Sequence, residues 1–149
     1  MILRPASPSD EDGVRICAQE AYAQYEAAIG RKPAPMVADF GQQIADGVVH
    51  VAEDSAGEVA GFAVFFRHGD HMFLENIAVR QAALGTGLGR RLIERCEAEA
   101  RAMGLRKITL YTNEKMLTNL TLYPHLGFEE TDRRTEDGFS RVYFEKRLS

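Results

Sequence analysis

The sequence predicts one α/β (α+β) domain over residues 1–149. It has a mixed, mostly antiparallel, twisted sheet of about seven strands with about four helices, in the order β-α-α-β-β-β-α-β-α-β-β. Three observations predict this class. Three apolar runs joined by tight turns lie between Val48 and Val79, the pattern of an antiparallel meander. A glycine-rich stretch, Gly85 to Gly89, then joins a strand to an amphipathic helix and a further strand, a β-α-β unit that forces one parallel pair. The chain closes with two strand-like runs around Asp137-Gly138, a strong hairpin signal.

Taken in order, Ile2 to Arg4 is short and suits an edge strand. Ser7-Pro8-Ser9-Asp10 starts a helix: the Ser7 hydroxyl can accept a backbone N–H, proline suits the first helical position, and Asp10 is favoured there by the helix dipole. Val14, Cys17, Ala18, Ala21, Tyr22, Tyr25 and Ile29 repeat with a helical period, and Gly30 and Pro33 close that helix. Met36, Val37, Phe40 and Ile44 predict a second, shorter helix over 36–45. Strands follow over 48–53, 59–67 and 71–79, with turns at 54–57 and 68–70.

Leu88, Leu92, Cys96, Ala100 and Met103 fall on one face of the next helix, which Gly104 caps. Lys107 to Thr112 alternates like a strand. Asn113 is positioned to cap a helix that carries Met116, Leu117, Leu120, Tyr123 and Leu126. The final strands are predicted over 128–135 and 139–147.

Composition narrows the function classes. Eighteen basic and 22 acidic residues give a formal charge of −4, which argues against a surface built for a polyanion and leaves room for a cationic substrate. The two cysteines, Cys17 and Cys96, form no CxxC pair and sit among apolar residues, as buried thiols do. No metal site is expected: His68, Asp70 and His71 cluster on a turn where solvated polar residues are the ordinary outcome, and His50 and His125 stand alone. Met-Ile-Leu-Arg-Pro is not followed by a signal-peptide core and no apolar run is long enough for a membrane span, so a cytoplasmic location is expected.

The glycine stretch is the most informative segment. Glycines let the backbone turn tightly and let a ligand approach, and the amides of the loop and of the following helix N-terminus make a site for phosphate or pyrophosphate. Arg90 and Arg91 lie in the first turn, where a cation is unfavourable against the helix dipole unless an anion is bound. The alternative is a simple turn with two solvated arginines. A dinucleotide motif fails because its third glycine falls at Arg90, and a triphosphate loop fails for want of its lysine.

What remains resembles the acetyl-CoA-binding motif of the GNAT acetyltransferases. Ile77-Ala78-Val79 is followed by Gly85, Gly87 and Gly89, although the Gln or Arg usual at the head of the motif is Leu84. A second segment, Asn119-Leu120-Thr121-Leu122-Tyr123-Pro124-His125-Leu126-Gly127-Phe128, is similar to the family's A-x-x-L-Y-x-x-x-G-F run, with Asn119 at the small-residue position and Met116 where an asparagine is common.

The resemblance implies the GNAT fold and an N-acetyltransferase. Acetyl-CoA, as co-substrate, would lie in a V-shaped gap between the strands ending at Val79 and Thr112. Ile77, Ala78 and Val79 would pair with the pantetheine arm, and Leu84, Gly85, Thr86, Gly87, Leu88, Gly89 and Arg90 would hold the pyrophosphate. Asn119 and Tyr123 would meet the cofactor from the last helix. A primary amine would attack the thioester directly in a ternary complex. Glu75 is the candidate base, with an ordinary strand glutamate as the alternative, because its side-chain face depends on whether the strand bulges there. Tyr123 is the candidate acid for the departing thiolate, with a core aromatic as the alternative.

Tyr22, Tyr25 and Glu26 are candidates for the acceptor pocket, with core packing or a solvated face as the alternatives. The acceptor is expected to be a small-molecule amine or a protein amine, with a slight tilt toward small cationic amines. Neither nucleic acid nor a membrane is expected as a partner, and the resemblance allows a homodimer through the last hairpin. A rival from another class is a non-catalytic acyl-CoA-binding sensor or interaction module, and a third is a nucleotide-binding α/β protein.

Overall fold

The computed structural model describes residues 1–149. The strands are β1 (Ile2–Pro5), β2 (Val49–Glu53), β3 (Val59–His68), β4 (His71–Val79), β5 (Lys107–Asn113), β6 (Glu129–Glu136) and β7 (Phe139–Arg147). They form one seven-stranded sheet in the order β1-β2-β3-β4-β5-β7-β6. Only β4 and β5 run parallel. The helices are α1 (Glu11–Ile29), α2 (Phe40–Ala45), α3 (Leu88–Ala102) and α4 (Leu117–His125). This is the predicted element order. No helix is long and apolar enough to cross a membrane.

Each face of the sheet has its own core. On one face α1 sets Val14, Cys17, Ala18 and Tyr22, and α2 sets Phe40 and Ile44, against Val49, Val51, Phe62 and Val64. On the other, Leu88, Leu92, Ile93, Cys96 and Ala100 of α3, Tyr123 of α4 and Leu126 just after it cover Ala63, Phe65, Met72, Leu74, Ile108 and Leu110. Both cysteines are free and buried, and burial pushes the Cys17 thiol up to about 12, far from a reactive thiolate.

Several local expectations change in detail. The 36–45 helix is interrupted: Ala34–Met36 is a single 3₁₀ turn, and α2 begins only at Phe40 because the Asp39 carboxylate caps it by accepting the Gln42 amide at 3.1 Å. Ser7 heads a capping box over a 3₁₀ turn, Pro8–Asp10, that precedes α1. Its hydroxyl donates to Asp10, whose carboxylate also accepts the Ser7 amide at 2.7 Å and the Arg4 guanidinium at 2.8 Å. That arrangement holds the Asp10 carboxyl down at about 2, with the Arg4 bond as the main cause. Asn113 does not cap α4. Its side chain closes a turn by accepting the Lys115 amide, and the helix starts later, after Met116. Met103 lies beyond the end of α3 and is half exposed rather than part of its buried face.

One irregularity shapes everything that follows. In the β3–β4 ladder Val64 faces Asn76 but Phe65 faces Leu74, so Glu75 is an extra residue, a β-bulge. Before it, Met72 and Leu74 point into the α3 core. After it, Ala78 points into the α1 core, and Ile77 and Val79 pack on the α3 side. The strand changes faces at Glu75.

Candidate active site where two parallel strands part

β4 and β5 pair only at Met72–Ile108 and Phe73–Thr109. Beyond these rungs β4 follows β3 to Val79, while β5 follows β7 to Asn113. The bulge adds twist to β4 where the strands separate. The separation leaves a cleft of about 530 Å³ including its mouth. Glu75, Asn76, Ile77, Thr112, Asn119 and Tyr123 are on its walls, and Pro33 to Pro35 close one side.

The α1 side of the cleft is a polar cluster. The Tyr22 hydroxyl lies 2.7 Å from Asn76 Oδ1 and 2.8 Å from the Ile77 carbonyl oxygen, and its one proton serves one of them at a time. Asn76 Nδ2 donates to the Pro35 carbonyl at 3.0 Å, which ties the α1–α2 connection to the bulge. Gln43 Nε2 of α2 donates to Glu75 Oε2. Because residue 75 is the bulge and residue 76 follows it, both carry their polar groups toward α1 and α2, which strict alternation forbids.

Tyr123 enters from the opposite face. Its ring is buried against Phe128 and Phe144, with centroids 5.6 Å from each. Its hydroxyl takes no protein partner, and burial alone pushes its pKa well above that of a free tyrosine. The group therefore keeps its proton at neutral pH. Beside it, Asn119 Nδ2 donates to Thr112 Oγ1 at 3.1 Å, and the Thr112 hydroxyl points to Met116 Sδ at 3.4 Å. Asn119 thus spans from α4 to the end of β5, leaving its carbonyl oxygen free of protein donors.

The glycine loop sits at the N-terminus of α3. Gly85 and Gly87 adopt φ +79° and +81°, where other residues are strained, and a Cβ at either would meet nothing within 4 Å. Gly87 is the N-cap, with no side chain to satisfy the first turn. The amides of Gly85, Gly87, Leu88, Gly89 and Arg90 find no acceptor in the chain, whereas the helical ladder begins with Arg91 donating to Gly87. Leu84 is exposed and Leu88 is buried as the anchor of the helix. Arg91 reaches the Met1 carbonyl, and Arg90 makes no ion pair. Unsatisfied amides, open space and two first-turn arginines fit a diphosphate.

The fold brings Glu75, Ile77, Asn119, Tyr123 and Tyr22 together. It does not bring in Tyr25 or Glu26, which lie on α1 away from the cleft: Tyr25 is half-buried against the α1 core, and Glu26 is half-buried on the helix surface. The loop from Leu84 to Arg90 is not part of the cleft wall either and forms a separate surface beyond Val79. His50 is stacked on Phe65 at 4.5 Å, and burial lowers its pKa. His125 is exposed at the end of α4. The sequence reading missed Asn76, Gln43, Thr112 and Arg141. Asn76 carried a signal, as an amide beside Glu75 between the apolar residues Leu74 and Ile77.

Similarity to known proteins places this geometry. A 58-residue segment is 40% identical to N-alpha-acetyltransferase 80 of Mus musculus, covering 39% of this chain and 17% of that protein. A 57-residue segment is 40% identical to the IAA acetyltransferase of Azospirillum brasilense, covering 38% of this chain and 37% of that protein. The matches thus span well under half of either relative. The crystal structure of the PaiA N-acetyltransferase of Thermoplasma acidophilum in complex with coenzyme A superposes with a TM-score of 0.81 at 14% identity, over 99% of this chain and 98% of that one, and so shares the fold. Residues 16–128, well over half of the chain, match the Acetyltransferase (GNAT) family, and the protein belongs to that family.

Proposed function

We propose that this chain transfers the acetyl group of acetyl-CoA to a primary amine by direct attack within a ternary complex. The observation that carries the reading is the cleft between β4 and β5, where Glu75 from one face of the sheet and Tyr123 from the other line one space. Coenzyme A in the Thermoplasma acidophilum relative, which has this fold, supports the choice of donor. The five free amides of residues 85 and 87–90 suit its pyrophosphate. The edge of β4 at Ile77, Ala78 and Val79 suits the pantetheine arm, with Asn119 as a side-chain contact near the thioester.

Acetyl-CoA brings an activated acyl group, and the protein supplies binding and proton transfer. Glu75, held by Gln43, accepts a proton from the incoming ammonium so that the neutral amine can attack. As the carbon–nitrogen bond forms and the carbon–sulfur bond breaks, Tyr123 donates its proton to the departing sulfur, and the second proton shed by the nitrogen restores the tyrosine, leaving an amide and the free thiol of coenzyme A. A tyrosine hydroxyl carries its proton at neutral pH, so the proton is in place when the sulfur departs. Tyr22 holds Asn76 and Ile77 and thereby the local shape of β4.

The test is steady-state turnover by Tyr123→Phe beside its affinity for acetyl-CoA. Lower turnover at unchanged affinity supports the assignment. Unchanged turnover removes Tyr123 from the mechanism.

A further inference from the structure

The walls of the cleft carry only two charged residues, Glu75 and Arg141. Arg141 lies on β7, paired with Asn113 of β5 on one side and Arg134 of β6 on the other. Its side chain is only 12% exposed. The guanidinium lies over the ring of Tyr111 at 4.4 Å and near Phe139 at 5.7 Å, which fixes its plane at the cleft wall. No hydrogen bond from its N–H groups is made within the chain. The carboxylates beside it, Glu136 and Asp137, are each 4.0 Å from Nη1, beyond hydrogen-bond reach. Glu136 is engaged elsewhere, accepting the Tyr143 hydroxyl and lying 3.7 Å from Arg134 Nε, and the Asp137 side chain is 86% exposed.

The five N–H donors of this positioned guanidinium, without a hydrogen-bond acceptor in the chain and facing the cleft, call for one from a ligand. A planar carboxylate answers that need with two parallel hydrogen bonds. Glu75, on the same walls, suits an ammonium. Arg31 stacks on Phe139 at 3.7 Å and donates to the Asp137 carbonyl, so the connection after α1 is fastened to the β6–β7 turn. Together with Pro33 to Pro35, that bounds the cleft and favours a small molecule over a protein segment.

We infer that the acceptor is a small amino-carboxylate, a molecule bearing a primary amine for Glu75 and a carboxylate for Arg141. This rests on the reading of the cleft as an acetyltransferase site. A cationic polyamine or aminosugar offers Arg141 only like charge. A phosphate monoester brings nearly two negative charges to a single guanidinium opposite an acid.

The experiment follows thiol release from acetyl-CoA with the wild-type protein and matched probes: L-amino acids, their α-amides, the corresponding decarboxylated amines, and ethanolamine phosphate. The free acids are expected to have kcat/KM at least about tenfold above their amides and decarboxylated counterparts. Arg141→Gln is expected to reduce that ratio to within about threefold of unity, mainly through KM for the acids, with Arg141→Lys between. The wild-type comparison decides the matter even where the Gln variant does not fold. Equal turnover of acids and amides, preference for ethanolamine phosphate, or no release with any amino acid overturns the inference. Calorimetry with acetyl-CoA alone separates the two levels: if acetyl-CoA binds, the donor reading stands whatever the acceptor panel gives, and if it does not bind, the donor reading fails first.

Discussion

The two ends of the site are built in different ways. The glycine loop from Gly85 to Gly89 is made of backbone and is contiguous in sequence, and its free amides arise from the start of one helix. The proposed acceptor end is made of side chains drawn from β4, β5 and β7, with the α1–α2 connection as its cover. A backbone site accepts one ligand shape and tolerates change in most of its side chains. A side-chain site is altered by any one of several substitutions far apart in sequence. The first end therefore suits a ligand of fixed shape, and the second suits one that substitutions can retune.

The largest expected effect falls on the backbone end. Gly87→Glu forces a side chain onto φ +81° and sets a carboxylate among the free amides, and should weaken acetyl-CoA binding by at least about 100-fold by calorimetry. Wild-type affinity in a variant with native circular dichroism would remove the loop from the site. Next is Tyr123→Phe, expected to lower kcat by about 10²–10³-fold with the Kd for acetyl-CoA changed less than about twofold.

Glu75→Gln keeps the shape of the side chain and removes the base. It should lower kcat/KM at pH 7 by about 10²-fold, and raising the pH should recover part of the loss as more of the amine becomes neutral on its own. A loss that stays constant across pH would argue that Glu75 only positions the strand. The smallest effect on turnover should come from Tyr22→Phe, within about threefold, although Asn76 Oδ1 loses its buried donor and urea unfolding should register about 1–3 kcal/mol. The two buried tyrosines thus separate: one hydroxyl is bonded within the protein, and the other is free.

What could be read from the sequence follows the same division. The element order, the meander and the parallel unit were legible because apolar periodicity reports burial along one segment. The glycine loop and the Tyr123 helix were legible because their signals are local. Tyr25 and Glu26 lie off the cleft wall, which the sequence does not reveal because helical periodicity shows which face of α1 is buried, not how far along the helix the cleft reaches. Arg141 was invisible because its partners Tyr111 and Phe139 lie elsewhere in the chain or beside it without a spacing rule. The break at Asp39 was missed because a capping aspartate inside an apolar pattern looks like a surface position on a longer helix.

The extra residue in β4 also constrains how the chain can assemble. A strand with uniform alternation can slide one place along its neighbour and exchange its two sides wholesale. β4 offers Met72 and Leu74 to one helix layer but Ala78 to the other, so no single slide satisfies both halves. Sliding would drive Asn76 into hydrocarbon or turn Leu74 away from α3. The residue that carries the proposed base therefore also acts as a pin, and deleting it should cost the protein its correct strand alignment before it costs any chemistry.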